Sequence, residues 1–225
     1  MMTSKNVENI KDSQKELKLI KSDKHYEIIS NGVFLKSTHG GKSEIEMVKD
    51  GLFYLSDHKL ENIRILIGGL GVGYSLIPAV EDERVEVVDV VEIHKEVINW
   101  NYQYFSEYNK DVINSDKVRV FNDDIGKYLE ENSNKYDLIL LDVDNGPDWL
   151  VRPENYHLYQ SEGLNLLSES LALGGYIGIW TISEKQELEA NLIANFDYVI
   201  MRSYQNIDSK RRSHYDYVYF SKTGK

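Results

Sequence analysis

The chain has no cysteine and only three prolines among 225 residues. Without cysteine there are no disulfides, no thiolate metal ligands and no thiol nucleophile, and no metal site is expected. No apolar run approaches the roughly 20 residues needed to cross a bilayer as a helix. The polar opening, "MMTSKNVENIKDSQKELK", lacks the apolar segment of a secretion signal. The expectation is a cytoplasmic protein with no membrane partner. Basic residues are also short: 26 Lys and Arg stand against 37 Asp and Glu, a net charge of -11. Such a field repels phosphate backbones, so no nucleic acid partner is expected. One basic run, Lys210-Arg211-Arg212, lies between two strand-like segments and reads as a hairpin tip.

What remains is an ordinary globular composition, 41% hydrophobic and 28% charged. "YEIISNGVFLKST" reads as two short strands around Asn31-Gly32, a pair suited to a tight hairpin. Ser43-Glu44-Ile45-Glu46 has the pattern of a capping box, and Ile45, Val48, Leu52 and Leu55 follow at helical spacing. From Ile63 strands and helices alternate: "IRILIG", "VGYSLIPAV", "RVEVVDVVEI", "HKEVINWNYQYF", "KVRVF", "DIGKYLEEN" and "YDLILLD". A helix is expected around Tyr156–Leu171, ended by Gly174-Gly175 before the strand "YIGIWT". A Ser183-x-x-Gln186 cap then opens the helix "SEKQELEANLIANF", and "DYVIMRSY" and "HYDYVYFSK" close the chain. This alternation implies a parallel sheet with right-handed crossovers. The last two strands are joined too briefly for a crossover and should pair antiparallel. Residues 1–60 read as a hairpin-and-helix appendage, and 61–225 as the main domain.

The first strand–helix turn carries the glycines of "ILIGGLGVGYSL". Glycine lets a ligand approach the backbone, and the helix start attracts negative groups. Gly69, Gly71 and Gly73 fit G-x-G-x-G rather than the dinucleotide or triphosphate patterns. Glu92 ends the next strand, where a carboxylate can accept from both hydroxyls of a ribose. Asp123-Asp124-Ile125 follows the third strand; an acid there can accept from an adenine amino group, and one of the two aspartates should cap the following helix. Asp142 ends the apolar strand "YDLILLD", and Asp144, Asn145, Asp148 and Trp149 follow in a loop stiffened by Pro147. Acids in that place invite a cation. Tyr74 and Trp149 could pack on a flat ligand or a cation.

Together these motifs resemble the class I S-adenosylmethionine-dependent methyltransferase superfamily, and within it the spermidine synthase-like branch. The resemblance runs from the N-terminal strands through "GGLGVG", "VEIHKEVI", "NDDIGKYL" and "YDLILLDVDNGP" to the closing hairpin. It implies a Rossmann-like α/β fold: a seven-stranded class I methyltransferase sheet with a terminal antiparallel hairpin and a small N-terminal β appendage. It also implies that Gly69, Gly71 and Gly73 line the methionine-and-ribose part of S-adenosylmethionine, or of its decarboxylated form. Glu92 would hold the ribose, Asp124 with the Ile125 backbone would read adenine, and Asp142 would deprotonate and orient an attacking amine. Asp144, Asn145 and Trp149 are candidate substrate contacts, the acceptor being a small amine-bearing molecule, and a homodimer is implied. The chain departs from polyamine synthases at several points. Gly71 replaces an aspartate of their glycine cluster, and Asp144 stands one place before the second acid of their D-x-x-D. Their Gln-x-Glu-Ser is absent near Trp180-Thr181, and their N-terminal tyrosine–histidine–glutamate segment has no match. On these departures methyl transfer is the expected activity; aminopropyl transfer and a non-catalytic adenosyl-binding role are the alternatives.

Overall fold

The computed structural model describes residues 4–11, 16–23, 25–56, 61–150, 152–207 and 212–223. The chain begins with a four-stranded antiparallel sheet: β1 (Ser4–Lys11), β2 (Glu16–Ser22), β3 (His25–Ser30) and β4 (Val33–Ser37), in that order. The expected turn joins β3 to β4, with Asn31 and Gly32 both at positive φ. The appendage is larger than the expected single hairpin. In β2 the inward residues Leu17 and Leu19 alternate with Glu16 and Lys18, a period-two pattern only four residues long before Ile20 interrupts it. β1 has even less apolar content, with Val7 and Ile10 half-buried against the core.

Helix α1 (Lys42–Leu55) follows, with Gly41 as its N-cap and no side-chain cap. The expected capping box does not form. Ser43 and Glu44 are buried within the first turn of the helix, and Ser43 Oγ donates to Glu44 Oε2 at 2.8 Å. The helix lies so close to the main sheet that a Cβ at Gly51 would stand 2.7 Å from Leu138 Cδ2. The boundary expected at residue 60 falls beside 57–60, outside the described residues.

The main sheet contains β5 (Ile63–Gly68), β6 (Val85–Val91), β7 (Val118–Phe121), β8 (Tyr136–Leu141), β9 (Leu171–Thr181), β10 (Tyr198–Ile207) and β11 (Ser213–Lys222). Its order is β10-β11-β9-β8-β5-β6-β7. Strands β5 to β9 run parallel, while β11 pairs antiparallel with both β9 and β10. The expected seven-stranded sheet and closing hairpin are both present. The hairpin tip 208–211, which holds most of the basic run, lies outside the described residues. Helices α2 (Leu76–Glu81), α3 (Lys95–Tyr104), α4 (Ser106–Asn109), α5 (Ile125–Glu131), α6 (Ser161–Ser170) and α7 (Gln186–Asn195) cover its faces. Both faces of β8 are buried: Leu138 and Leu140 join one core, Ile139 and Leu141 the other. Burial on both sides explains why these strands read as continuous apolar runs. The first core also takes in Leu17, Leu19 and Ile28, so the N-terminal sheet and one face of the main sheet share one hydrophobic interior.

Two boundaries differ from the sequence expectation. The segment before α6 starts as a 3-10 turn, Pro153–Tyr159, and β9 begins at Leu171 rather than after the glycine pair. Gly174-Gly175 lies within β9, where a Cβ at Gly175 would stand 2.9 Å from the Asp137 carbonyl oxygen; glycine there serves close strand approach. Lys185, not Ser183, is the N-cap residue of α7. No helix among the described residues is long and apolar enough to cross a membrane.

Leucine at position 51 tests the tight seat of α1. Overpacking typically costs about 1–3 kcal/mol, against roughly 1 kcal/mol of helix propensity regained on losing glycine. Gly51→Leu should lower the thermal midpoint by several degrees, and an unchanged midpoint would show that Leu138 gives way freely.

Candidate active site

Strand order reverses at β5, which has β6 on one side and β8 on the other. Ligands of open α/β sheets bind at such a switch point, beyond the carboxyl ends of the strands. The loop after β5 and the loop after β8 meet there: a Cβ on Gly69 would lie 2.3 Å from the Asp142 carbonyl oxygen. Gly69 has φ +91, so both its conformation and its neighbour exclude a side chain.

A cleft of about 860 Å³ opens at this point, lined by Gly69, Gly71, Glu92, Asp124, Ile125, Asp142, Asp144 and Asn145, among others. Every expected cofactor residue except Gly73 therefore faces one cavity. Gly73 points elsewhere: a Cβ there would meet Asn101 Oδ1 at 2.9 Å and Asn109 Nδ2 at 3.1 Å. These two asparagines are buried and brace the glycine loop. Asn101 Nδ2 donates to the Gly71 carbonyl at 2.8 Å, and Asn109 Nδ2 to the Val72 carbonyl at 3.1 Å and to Asn101 Oδ1 at 3.0 Å. In the sequence they are polar residues on otherwise amphipathic helices, and no motif marks them.

Glu92 is buried, and its carboxylate is oriented by the backbone. Oε2 accepts from Leu70 N at 3.0 Å and Oε1 from His94 N at 2.8 Å. A carboxylate offers about four acceptor sites, enough for two backbone donors and a ribose diol together. Asp124 is the N-cap of α5: its Oδ1 accepts from Gly126 N and Lys127 N. Its Oδ2 pairs with Arg152 Nη1 at 2.6 Å, a contact absent from the sequence reading. Burial raises the Asp124 pKa, but Arg152 and the helix-start N–H groups outweigh it and hold the carboxyl below its ordinary value. Asp123, beside it, also lines the cleft.

Asp142 occupies the inner end. Its Oδ2 accepts from Lys36 Nζ at 3.0 Å, and the same ammonium lies 2.7 Å from Glu44 Oε1 and 4.9 Å from the centre of the Trp180 ring. Burial pushes the Asp142 carboxyl up; Lys36 opposes this and Glu44 adds to it, leaving a pKa of about 6. Burial likewise disfavours the Lys36 ammonium, yet its two acids win and hold its pKa well above the ordinary value. Glu44, despite burial, is drawn below the carboxylate range by Lys36 and Ser43. Trp180 Nε1 donates to Ser43 Oγ at 3.2 Å, which ties the indole into the same cluster.

A second cavity, about 910 Å³, abuts the first and shares Lys36, Asn145 and Trp180 with it. Glu44, Trp149, His214 and Asp216 also line it. Asp216 is 2% exposed; it accepts from Asn206 Nδ2 at 3.0 Å and faces His214 Nε2 at 3.4 Å. Among the expected substrate residues, Asn145 borders both cavities and Trp149 the second. Asp144 is buried in the wall of the first, where it accepts from Asn155 Nδ2 at 2.9 Å and Tyr159 OH at 3.0 Å. Tyr74 packs in the core and donates to the Thr38 carbonyl. The sequence reading missed Lys36, Glu44 and Asp216. Lys36 lies in a short exposed-looking strand, and Glu44 was absorbed by an apparent cap.

A seven-stranded sheet with a glycine loop at its switch point, a glutamate ending the second strand and a capping aspartate after the third is the arrangement of the class I methyltransferase-like fold. The family model described as "Spermine/spermidine synthase domain" matches residues 46–210. The chain belongs to that family. It is 29% identical over 125 residues to the polyamine aminopropyltransferase of Saccharolobus solfataricus, covering 56% of this chain and 40% of the relative. It is 29% identical over 144 residues to the spermidine synthase of Schizosaccharomyces pombe, covering 64% and 46% respectively. The chain thus spans less than half the length of these relatives. The crystal structure of spermidine synthase from Thermotoga maritima superposes with a TM-score of 0.78 at 14% identity, covering 97% of this chain and 73% of that one. A spermidine synthase in complex with the transition state analogue AdoDATO superposes with a TM-score of 0.76, also at 14% identity, covering 97% and 72%.

The ribose assignment of Glu92 has a direct consequence. Glu92→Gln keeps the shape but removes the charge and one acceptor oxygen. Affinity for methylthioadenosine, measured by calorimetric titration, should fall by about 1.5–3 kcal/mol, the scale of hydrogen bonds to a charged group. Unchanged affinity would remove Glu92 from the ligand site.

Proposed function

We propose that the protein transfers an aminopropyl group from decarboxylated S-adenosylmethionine to a small amine. The observation that carries this reading is a buried Asp142 in the cavity bordered by the glycine loop and Glu92, paired with Lys36, which also borders a second cavity lined by Glu44 and Asp216. Two acids, Glu44 and Asp216, line the second cavity against one ammonium, Lys36, which is itself shared with Asp142 of the first, so the second cavity favours a cation over an anion. That charge balance, together with relatives that are aminopropyltransferases, supports aminopropyl transfer over the methyl transfer expected from the glycine-loop departure alone. A carboxyl raised to about 6 suits proton transfer near neutrality, which a purely ligand-holding protein does not need.

The residues present fit the adenosyl group. Gly71 brings bare backbone to the cleft: the nearest atoms to a Cβ there belong to the Lys36 stem, at 3.5 Å and beyond. When bound, the sulfonium supplies a carbon whose bond to sulfur breaks as the bond to the acceptor nitrogen forms, leaving a neutral thioether. The protein's part is placement and proton management. Glu92 and the glycine loop hold the adenosyl end. Asn145 and Trp180 border the passage between the cavities, where the acceptor nitrogen must meet the reactive carbon. Asp142 attracts the acceptor as an ammonium and takes its proton.

With decarboxylated S-adenosylmethionine and an amine such as 1,4-diaminobutane, the product should be methylthioadenosine. S-adenosylhomocysteine formed from S-adenosylmethionine instead would overturn the reading. Asp142→Asn should keep adenosyl affinity and lose about 100- to 10,000-fold in kcat, the range of general-base contributions.

The pH profile supplies a second check. Below its raised pKa of about 6, Asp142 is protonated and cannot accept a proton. The rate should therefore fall as pH drops through that value. This acid limb should vanish in Asp142→Asn, and its persistence would assign the titration to another group.

A further inference from the structure

The Lys36 ammonium stands where an incoming amine is needed. Its Nζ lies against Asp142 Oδ2 and Glu44 Oε1, over the face of Trp180, at the junction of the two cavities. Two carboxylates and an indole face are the groups that bind a primary ammonium, and here all three are engaged by a side chain of the protein itself.

We propose that Lys36 is a resident occupant of the acceptor's amine position, and that an acceptor binds by replacing it on Asp142 while Lys36 stays with Glu44. This deepens the aminopropyl-transfer reading and rests on it. Three features carry the exchange. First, a buried carboxylate left without a cation is costly, whereas trading one ammonium for another keeps Asp142 paired throughout. Second, Lys36 hangs on a flexible four-carbon stem that runs along Gly71, and its side chain remains 19% exposed at the cavity wall. It has a second acid, Glu44 at 2.7 Å, to hold it once Asp142 is surrendered. Third, Asp216 lines the second cavity as a further anionic point for the remainder of a cationic acceptor.

The exchange makes Lys36 a specificity-determining residue. Only a group that pairs with Asp142 as well as an ammonium does can displace it. A neutral alcohol or a carboxylate leaves Lys36 in place and Asp142 occupied.

Amine binding and turnover are read separately in the wild type, Lys36→Met, and Lys36→Met combined with Glu44→Gln. The double variant removes the ammonium together with its second acid, and carries the test if the single variant does not fold. Binding is titrated with 1,4-diaminobutane on protein saturated with methylthioadenosine; kcat and KM are taken with decarboxylated S-adenosylmethionine. The amine should bind at least about fivefold tighter to the Lys36 variants, as release from a charge-assisted competitor implies. KM for the amine should fall in parallel, with methylthioadenosine affinity unchanged. Equal or weaker amine binding in the variants, alongside wild-type turnover, overturns the exchange and leaves the transfer reading standing. Tighter amine binding with no turnover in any protein supports the exchange and overturns the transfer reading. No amine binding and no turnover in any protein overturns both.

Discussion

The whole site depends on one close approach. Gly69 brings the loop after β5 against the backbone of Asp142 after β8, at a separation that leaves no room for a Cβ. The glycine loop and Asp142 both line the cleft, and in the proposed reaction the first holds the adenosyl group and the second meets the amine. Their distance is therefore set by backbone packing rather than by the rotamers of long side chains. Any residue larger than glycine at this point would push the two ends apart.

The reacting end is built from more of the chain than the main sheet alone. Lys36 comes from β4 of the N-terminal sheet, Glu44 from the first turns of α1, Trp180 from β9 and Asp216 from β11. A shared core that includes Leu17, Ile28, Met47 and Trp180 holds these elements in register. The appendage thus supplies charge to the site as well as covering it. This explains how a chain that lacks an acid in its glycine loop can still hold an acidic chamber: Glu44 and Asp216 enter from neighbouring elements.

Where local rules decide the structure, the sequence was readable. The alternating apolar strands, the Asn31-Gly32 turn and the placement of Glu92, Asp124 and Asp142 at strand ends all follow from short-range pattern, because the strand end at a switch point fixes where a side chain goes. Gly73 misled because glycine marks a close contact without naming the partner, which here is a pair of buried asparagines. Ser43 and Glu44 misled because the capping-box pattern does not distinguish a cap from a pair that sits in the first turn behind a Gly41 cap. Lys36 was invisible for a plainer reason. Its meaning comes from Asp142, distant in sequence and brought beside it only by the fold. The methyl-transfer expectation is less well supported than its aminopropyl alternative for the same reason: it weighed the missing acid at Gly71 without the acids that the tertiary structure returns.

The Asn101–Asn109 brace differs in kind from the charged groups around it. The glycine loop is held by neutral amides bonded to carbonyls, none of which titrates between mild acid and mild base or is screened by salt. The inner end is held by an ammonium shared between two carboxylates, which responds to both. Changes in proton or salt concentration in the surroundings thus reach the charged groups of the cleft, Asp124 with Arg152 as well as Asp142 with Lys36, while the amide brace keeps the loop between them in one shape.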